Sequence, residues 1–140
     1  MIRHHPGLRA VLIAVHIGWA LAIYHRPNAP LILQSYAAFT DFMPWAAWGW
    51  AALLIGLLLI VTRPGTLAAQ GTSLLSSVYF FAVAAAVGRG VGITTGVTTY
   101  TVLAFASLAL FALDFRAWFA RRVWVQRLVS RPPRWVRGSR

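Results

Sequence analysis

The chain has 140 residues, 59% of them hydrophobic and 11% charged, whereas roughly a quarter of residues are charged in an ordinary soluble domain. Its net charge of +11 comes from thirteen arginines, with no lysine and only Asp41 and Asp114 as acids. This balance excludes a soluble globular domain, and the absence of cysteine excludes a disulfide framework, a thiol nucleophile and a Cys-based metal site.

The N-terminal stretch is short and basic (Arg3, His4, His5, Arg9) and leads into an apolar run over 8–24 that is interrupted by His16. Two readings fit it. It is either a first spanning helix at the short end of the range, or a signal peptide with Ala20-Leu21-Ala22 as its cleavage site. The further apolar segments behind it favour the helix. His25 to Met43 is punctuated by Pro27, Asn28 and Pro30. Leu31 to Phe39 is too short to span and predicts a short interfacial helix anchored by Tyr36, Phe39 and Phe42.

The second span, 44–62, is the clearest. It carries no charge, opens on Trp45, Trp48 and Trp50, and ends before Arg63-Pro64-Gly65, a turn sequence. Its uncharged core reaches ~27 Å, close to the ~30 Å hydrocarbon thickness of a bilayer. The third span covers 67–87 with Gln70, Ser73, Ser76 and Ser77 as its polar members, and the fourth covers 93–113. Ala84, Gly88, Gly92 and Gly96 recur at every fourth residue, a spacing that suits close helix contact. An unbroken helix over both spans would be ~70 Å long, so Gly88 to Gly92 is expected to be a turn. Inside the spans, Ala82 and Ala86 face Ala104 and Ser107 as a candidate packing seam, within one chain or between copies in a homo-oligomer.

Residues 115–140 form a basic tail. Arg116, Arg121, Arg122, Arg127, Arg131 and Arg134 are interleaved with Trp118, Trp124 and Trp135. On a helical wheel Phe115, Trp118, Phe119, Val125 and Val129 share one face and Arg116, Arg127 and Arg131 another, with Arg122 intruding on the apolar face. Pro132-Pro133 ends any helix. With four spans, eleven arginines fall on one side of the membrane and only Arg26 and Arg89 on the other. Both termini are therefore expected in the cytoplasm. The expected fold is all-α, an integral inner-membrane four-helix bundle over residues 1–114 followed by this tail.

The tail suits anionic lipid headgroups, and the apolar spans point to the bilayer rather than nucleic acid as partner. His16, an ionisable group within a span, is either a relay residue or a neutral imidazole bonded to a hydroxyl of a neighbouring helix. The second reading is favoured because no other buried ionisable group is evident. Asp114 reads as a solvated boundary residue or as the partner of an arginine of the tail or of the Arg63 turn. No catalytic constellation is visible, and His4 and His5 lie across the membrane from His25, so neither enzyme activity, nor a metal, nor a cofactor is expected.

In its closely spaced spans, such as Trp45–Val61 and Val97–Leu113, and its charged tail Arg116–Arg140, the chain resembles the small multi-spanning membrane proteins of bacteriophages, including holin-like proteins. That resemblance implies a protein that accumulates in the cytoplasmic membrane, oligomerises and permeabilises it at lysis. A second expectation, from a different class, is a non-lytic accessory or scaffold protein whose tail binds lipids or a cytoplasmic partner.

Overall fold

In the computed structural model, residues 6–130 are described, with the side chains of Arg121, Trp124, Val125 and 127–130 excepted. Among them the fold is all-helical: α1 (Pro6–His25), α2 (Ala29–Ile32), α3 (Gln34–Ala37), a 3-10 turn (Ala38–Asp41), α4 (Trp45–Val61), α5 (Leu67–Val91) and α6 (Thr95–Ser130). Three helices are long and apolar enough to cross a membrane, or four if α4 is counted with the Gln34–Asp41 segment, which meets it at 85°.

Each boundary has a local cause. Pro27 follows the end of α1, and Pro44 precedes α4, where its missing N–H is no loss. Pro64 and Gly65, with φ of 75° at Gly65, turn the chain out of α4. Thr66 then caps α5, its hydroxyl accepting from Ala69 N–H at 3.2 Å. The turn expected over Gly88–Gly92 comes at the last of those glycines. α5 runs on through Val91, and Gly92, again at φ 75°, ends it with its N–H bonded to Gly88 O at 2.8 Å. α6 passes residues 114 and 115 without a break.

The helices associate in two tight pairs, α1 with α4 and α5 with α6, joined through α4–α5 and α1–α6 contacts. Small residues set the first pairing. A Cβ on Gly49 would stand 3.0 Å from Ile23 Cγ2, one on Gly56 would stand 3.3 Å from His16 Cβ, and Ala52 between them is fully buried. Leu12, His16 and Ile23 of α1 all lie in the interior, so α1 contributes to the core.

The α2–α3 connector does not simply lie along a surface. Leu31 and Ile32 point outward, but Phe39 is fully buried, and its carbonyl accepts from Trp48 Nε1 at 3.2 Å. Phe39 is thus a core residue rather than the interfacial anchor its sequence context suggests. Phe42 is exposed beneath the Arg89 guanidinium, 5.2 Å from its ring centre. The outward faces of α4, α5 and α6 carry Leu54, Val78, Phe81 and Phe105, whereas Gln70, Ser73, Ser76, Ser77 and Ser107 point inward.

At Gly90 the connector passes so close that an added Cβ would stand 2.7 Å from Gln34 O and 3.3 Å from Ser35 O. Gly71, in the same helix, has nothing within 4 Å of that position. Alanine in place of a mid-helix glycine ordinarily stabilises by about 1 kcal/mol, and Gly71→Ala is expected to do so. At Gly90 the neighbour is backbone and cannot step aside, so Gly90→Ala is expected to destabilise by about 1–3 kcal/mol. Thermal unfolding of the two variants in the same detergent should move in opposite directions.

Candidate functional site

The interior of the bundle is polar along one line, and α5 supplies its spine. Gln70, Ser73 and Ser76 recur every third residue, a rise of about 4.5 Å each, and all three are buried. α1 and α6 contribute groups at matching heights, which divides the line into tiers.

At the end that carries the Arg63 turn, Arg9 is only 8% exposed and Asp114 only 5%. Arg9 Nε donates to Leu59 O at 2.8 Å, and its Nη2 donates to Thr62 O and, at 2.6 Å, to Thr62 Oγ1. Those acceptors belong to the last turn of α4, where carbonyls lack intrahelical partners and the helix dipole is negative. Asp114 acts in the complementary way, its Oδ1 accepting from Gly65 N–H at 2.9 Å just ahead of α5. Arg9 Nη1 and Asp114 Oδ2 stand 3.9 Å apart, an ion pair without a direct hydrogen bond, and neither atom has another partner within the protein. α1 and α6 thus grip the two sides of the α4–α5 turn with opposite charges.

This corrects two expectations. Asp114 is a buried ion-pair member rather than a solvated boundary residue, and its partner is Arg9 rather than an arginine of the tail or the Arg63 turn. Burial of Arg9 and Asp114 also removes the argument that His16 is alone among buried ionisable groups. A signal was present: Arg9, Leu12, His16 and Ile23 share one face of α1, and that face is the buried one.

In the middle tier, Thr72 returns its hydroxyl to Ala68 O at 2.8 Å, whereas Gln70 Nε2 and Ser73 Oγ have no partner within the protein. Next comes the fully buried His16, whose Nε2 lies 2.8 Å from Ser76 Oγ, itself 2.9 Å from Ser107 Oγ. The proton positions follow from the terminus of this chain. Ser107 donates its one hydrogen to Leu103 O at 2.9 Å, so Ser76 must donate to Ser107. Ser76 is then the acceptor of His16 Nε2–H. This assigns the Nε2–H tautomer and leaves Nδ1 with a bare lone pair and no partner. The neighbouring-hydroxyl reading of His16 is thereby satisfied on one side of the ring and left open on the other. Above this tier stand Tyr79, whose hydroxyl donates to Trp48 O at 2.9 Å, and the Trp19 indole, whose Nε1–H is directed at the Tyr79 oxygen without closing a well-formed hydrogen bond.

Of the candidate seam, Ala86, Ala104 and Ser107 are fully buried and Ala82 is half-buried, and Ser107 and the Ala104 carbonyl bond to Ser76 and Ser77 of α5. In the tail, Arg116 and Arg122 are exposed, and Arg122 lies over the Trp118 ring at 4.4 Å. That cation–π contact one turn apart explains an arginine on the apolar face. The side chains of Arg121 and Arg127, and all of Arg131 and Arg134, lie outside the described residues. A separate outward groove of about 600 Å³ between α1 and α4 is lined by Ile17, Leu21, Tyr24, Trp45 and Trp50 and is almost wholly apolar.

Comparison with protein-family models, curated proteins and solved structures gave no match for the chain. Its functional reading therefore rests on this geometry.

Removing one member of a buried ion pair strands the other, at a cost of about 3–5 kcal/mol. Arg9→Met is expected to destabilise by that order, and Asp114→Asn by less, since an amide oxygen still accepts from Gly65. Combining them should cost clearly less than the sum of the two. Denaturation of the four proteins as a double-mutant cycle checks this, and strict additivity would refute the coupling.

Proposed function

We propose that the chain is a non-enzymatic integral protein of the cytoplasmic membrane, with both termini in the cytoplasm, that holds a basic helix against anionic lipid headgroups. The observation that carries this reading is the continuity of α6. Its 36 residues reach about 54 Å, well beyond the ~30 Å of a hydrocarbon core, so the helix that starts as an apolar span continues into Arg116, Arg121, Arg122 and Arg127. The extension is a direct outgrowth of the bundle and so has a fixed starting direction. Its described surface suits an interface, with Phe115 and Phe119 exposed and Arg122 resting on Trp118.

Two further observations support the membrane placement. The bundle presents a wide apolar outer surface while Gln70, Ser73, Ser76, Ser77 and Ser107 are buried within its apolar core, a distribution unlike that of a water-soluble protein. The arginines also sort by end: Arg9 and Arg63 lie with the α4–α5 turn and the start of the basic extension. Arg26, whose carbonyl accepts from Trp45 Nε1, and Arg89 lie with the connector at the other end.

The holin-like reading has its own support in the outward faces, where Leu54, Val78 and Phe105 offer apolar surface for copies to pack against one another. It asks those faces to form the oligomer, because Ala86, Ala104 and Ser107 are already occupied within the chain.

One reconstitution separates the two. In vesicles containing phosphatidylglycerol, trypsin should cut the extension at Arg121 and Arg122 much more slowly than in pure phosphatidylcholine, and high salt should abolish the difference. Replacing Arg116, Arg121, Arg122 and Arg127 by Gln should remove about 1 kcal/mol of surface attraction per arginine while the chain still inserts. Equal cleavage in both lipids would sink the headgroup reading. Rapid loss of trapped carboxyfluorescein, together with abrupt growth arrest on induction in cells, would establish the holin-like one instead.

A further inference from the structure

We propose that the buried line along α5 is a water-filled proton path, running from Asp114 past Ser73 and Ser76 to His16 and opening toward Trp19. This goes beyond the headgroup reading and does not rest on it.

Three observations converge. The first is the number and kind of buried polar atoms left without a partner in the protein. Arg9 Nη1, Gln70 Nε2 and Trp19 Nε1 are donors, His16 Nδ1 and Asp114 Oδ2 are acceptors, and Ser73 Oγ is both. Buried polar groups are almost always satisfied, and a water with two to four polar partners is the usual means. A mixture of donors and acceptors suits water, which offers both, better than it suits an ion of either sign. The second is their placement. Arg9, His16 and Trp19 of α1, Gln70 and Ser73 of α5 and Asp114 of α6 follow one another in height from the α4–α5 turn, so waters bridging neighbouring tiers would form a file. The third is the polarity of the finished segment. His16 Nε2–H, Ser76 and Ser107 form an oriented chain of donors, and the imidazole at its head presents a bare base to the unfinished side.

A histidine in this state can pass a proton through its ring. A proton arriving from a water forms the N–H bond at Nδ1, and the Nε2–H bond then breaks toward Ser76 Oγ. Ser76 passes its own hydrogen to Ser107, whose hydroxyl turns from Leu103 O to the next water. The ring then turns so that both nitrogens meet water on one side, where Nδ1–H is exchanged for Nε2–H, and when it and the two hydroxyls turn back the starting state is restored with no proton returned along the path. One proton enters and one leaves, driven by the gradient alone, with no other reactant. The titratable groups around the imidazole are Tyr79, with its ring centre 5.3 Å away, and, at the Arg63 end, Arg9 on the same helix and Asp114 from α6; α4 presents the Gly56 backbone and α5 also the Phe80 ring, at 4.6 Å. At the far end Trp19 is half-buried and meets Tyr100, also half-buried, at 5.3 Å, which brings the line close to the surface.

The test uses the full chain in phosphatidylcholine vesicles with pyranine trapped inside, a pH step outside and valinomycin to clamp the potential. Wild-type vesicles should take up protons faster than protein-free vesicles while retaining carboxyfluorescein. His16→Gln keeps a donor for Ser76 but cannot relay, and should reduce the flux by about tenfold or more. Ser73→Ala is the decisive companion. The Ser73 hydroxyl makes no bond within the protein, so a purely structural role predicts an unchanged or higher Tm and no other effect. The path predicts slower proton uptake at that same Tm. If His16→Gln does not fold, Ser73→Ala alone decides. Wild-type flux equal to that of empty vesicles, flux unaffected by Ser73→Ala, or protons escaping together with carboxyfluorescein would each overturn the proposal.

Discussion

A guanidinium enclosed by apolar helices must find acceptors for its N–H groups, and the way Arg9 does so sets the arrangement of everything near it. Its fork reaches across to the last turn of α4, while the carboxylate beside it comes from α6 and holds the first residues before α5. Three segments that are distant in sequence, α1, the α4–α5 turn and α6, therefore meet at one place. The helix dipoles strengthen the arrangement, since the cation sits at a C-terminus and the anion at an N-terminus. Burial of either charge alone would be costly, so the pair is stable only when α1, α6 and the turn are all in position. That coupling makes the tight pairs α1–α4 and α5–α6 one assembly rather than two.

From this fixed end the registers of the remaining contacts follow. α5 and α6 run antiparallel, and the Gly65–Asp114, Ser76–Ser107 and Ser77–Ala104 contacts descend through the same register. α1 runs parallel to α5, which puts His16 at the height of Ser76 when Arg9 is at the height of the α4–α5 turn. Gly49, Ala52 and Gly56 allow α1 to lie close against α4 along the same length. Where the outer surface is apolar, hydrophobic burial cannot drive such helices together in lipid, and close backbone approach and interhelical hydrogen bonds take its place.

The helices themselves were legible in the sequence because their signals are local: long uncharged runs, prolines at the boundaries and glycines at the turns. The span limits differ from the observed helices by a few residues, except that α6 continues far past 113. Nothing at Asp114-Phe115 breaks a helix, and the change from apolar to basic residues there is not a change of conformation. Small residues at helical spacing also point to Ala104 and Ser107, which are buried where Ser77 and Ser76 bond to them. The Arg9–Asp114 pair was not legible, since it joins residues more than a hundred positions apart and each alone looks like a boundary charge. Phe39 was misjudged for a similar reason. A short apolar segment resembles a surface anchor until the 85° bend into α4 turns it inward.

The interior polar groups then divide into two kinds with different physical meanings. Ser77 bonds to Ala104 O, Tyr79 to Trp48 O and Ser76 to Ser107, so these join elements and are sufficiently explained by assembly. Ser73 and Gln70, with the open side of His16, join nothing, and an unsatisfied buried polar atom costs about 1–3 kcal/mol. Alanine at 73 would pack the same helix face without that cost. A core built only for stability has no use for such residues, whereas a core that admits water does. Along α5 they lie between the level of the Arg9–Asp114 pair and that of His16, where the proposed hydrated path would satisfy them together.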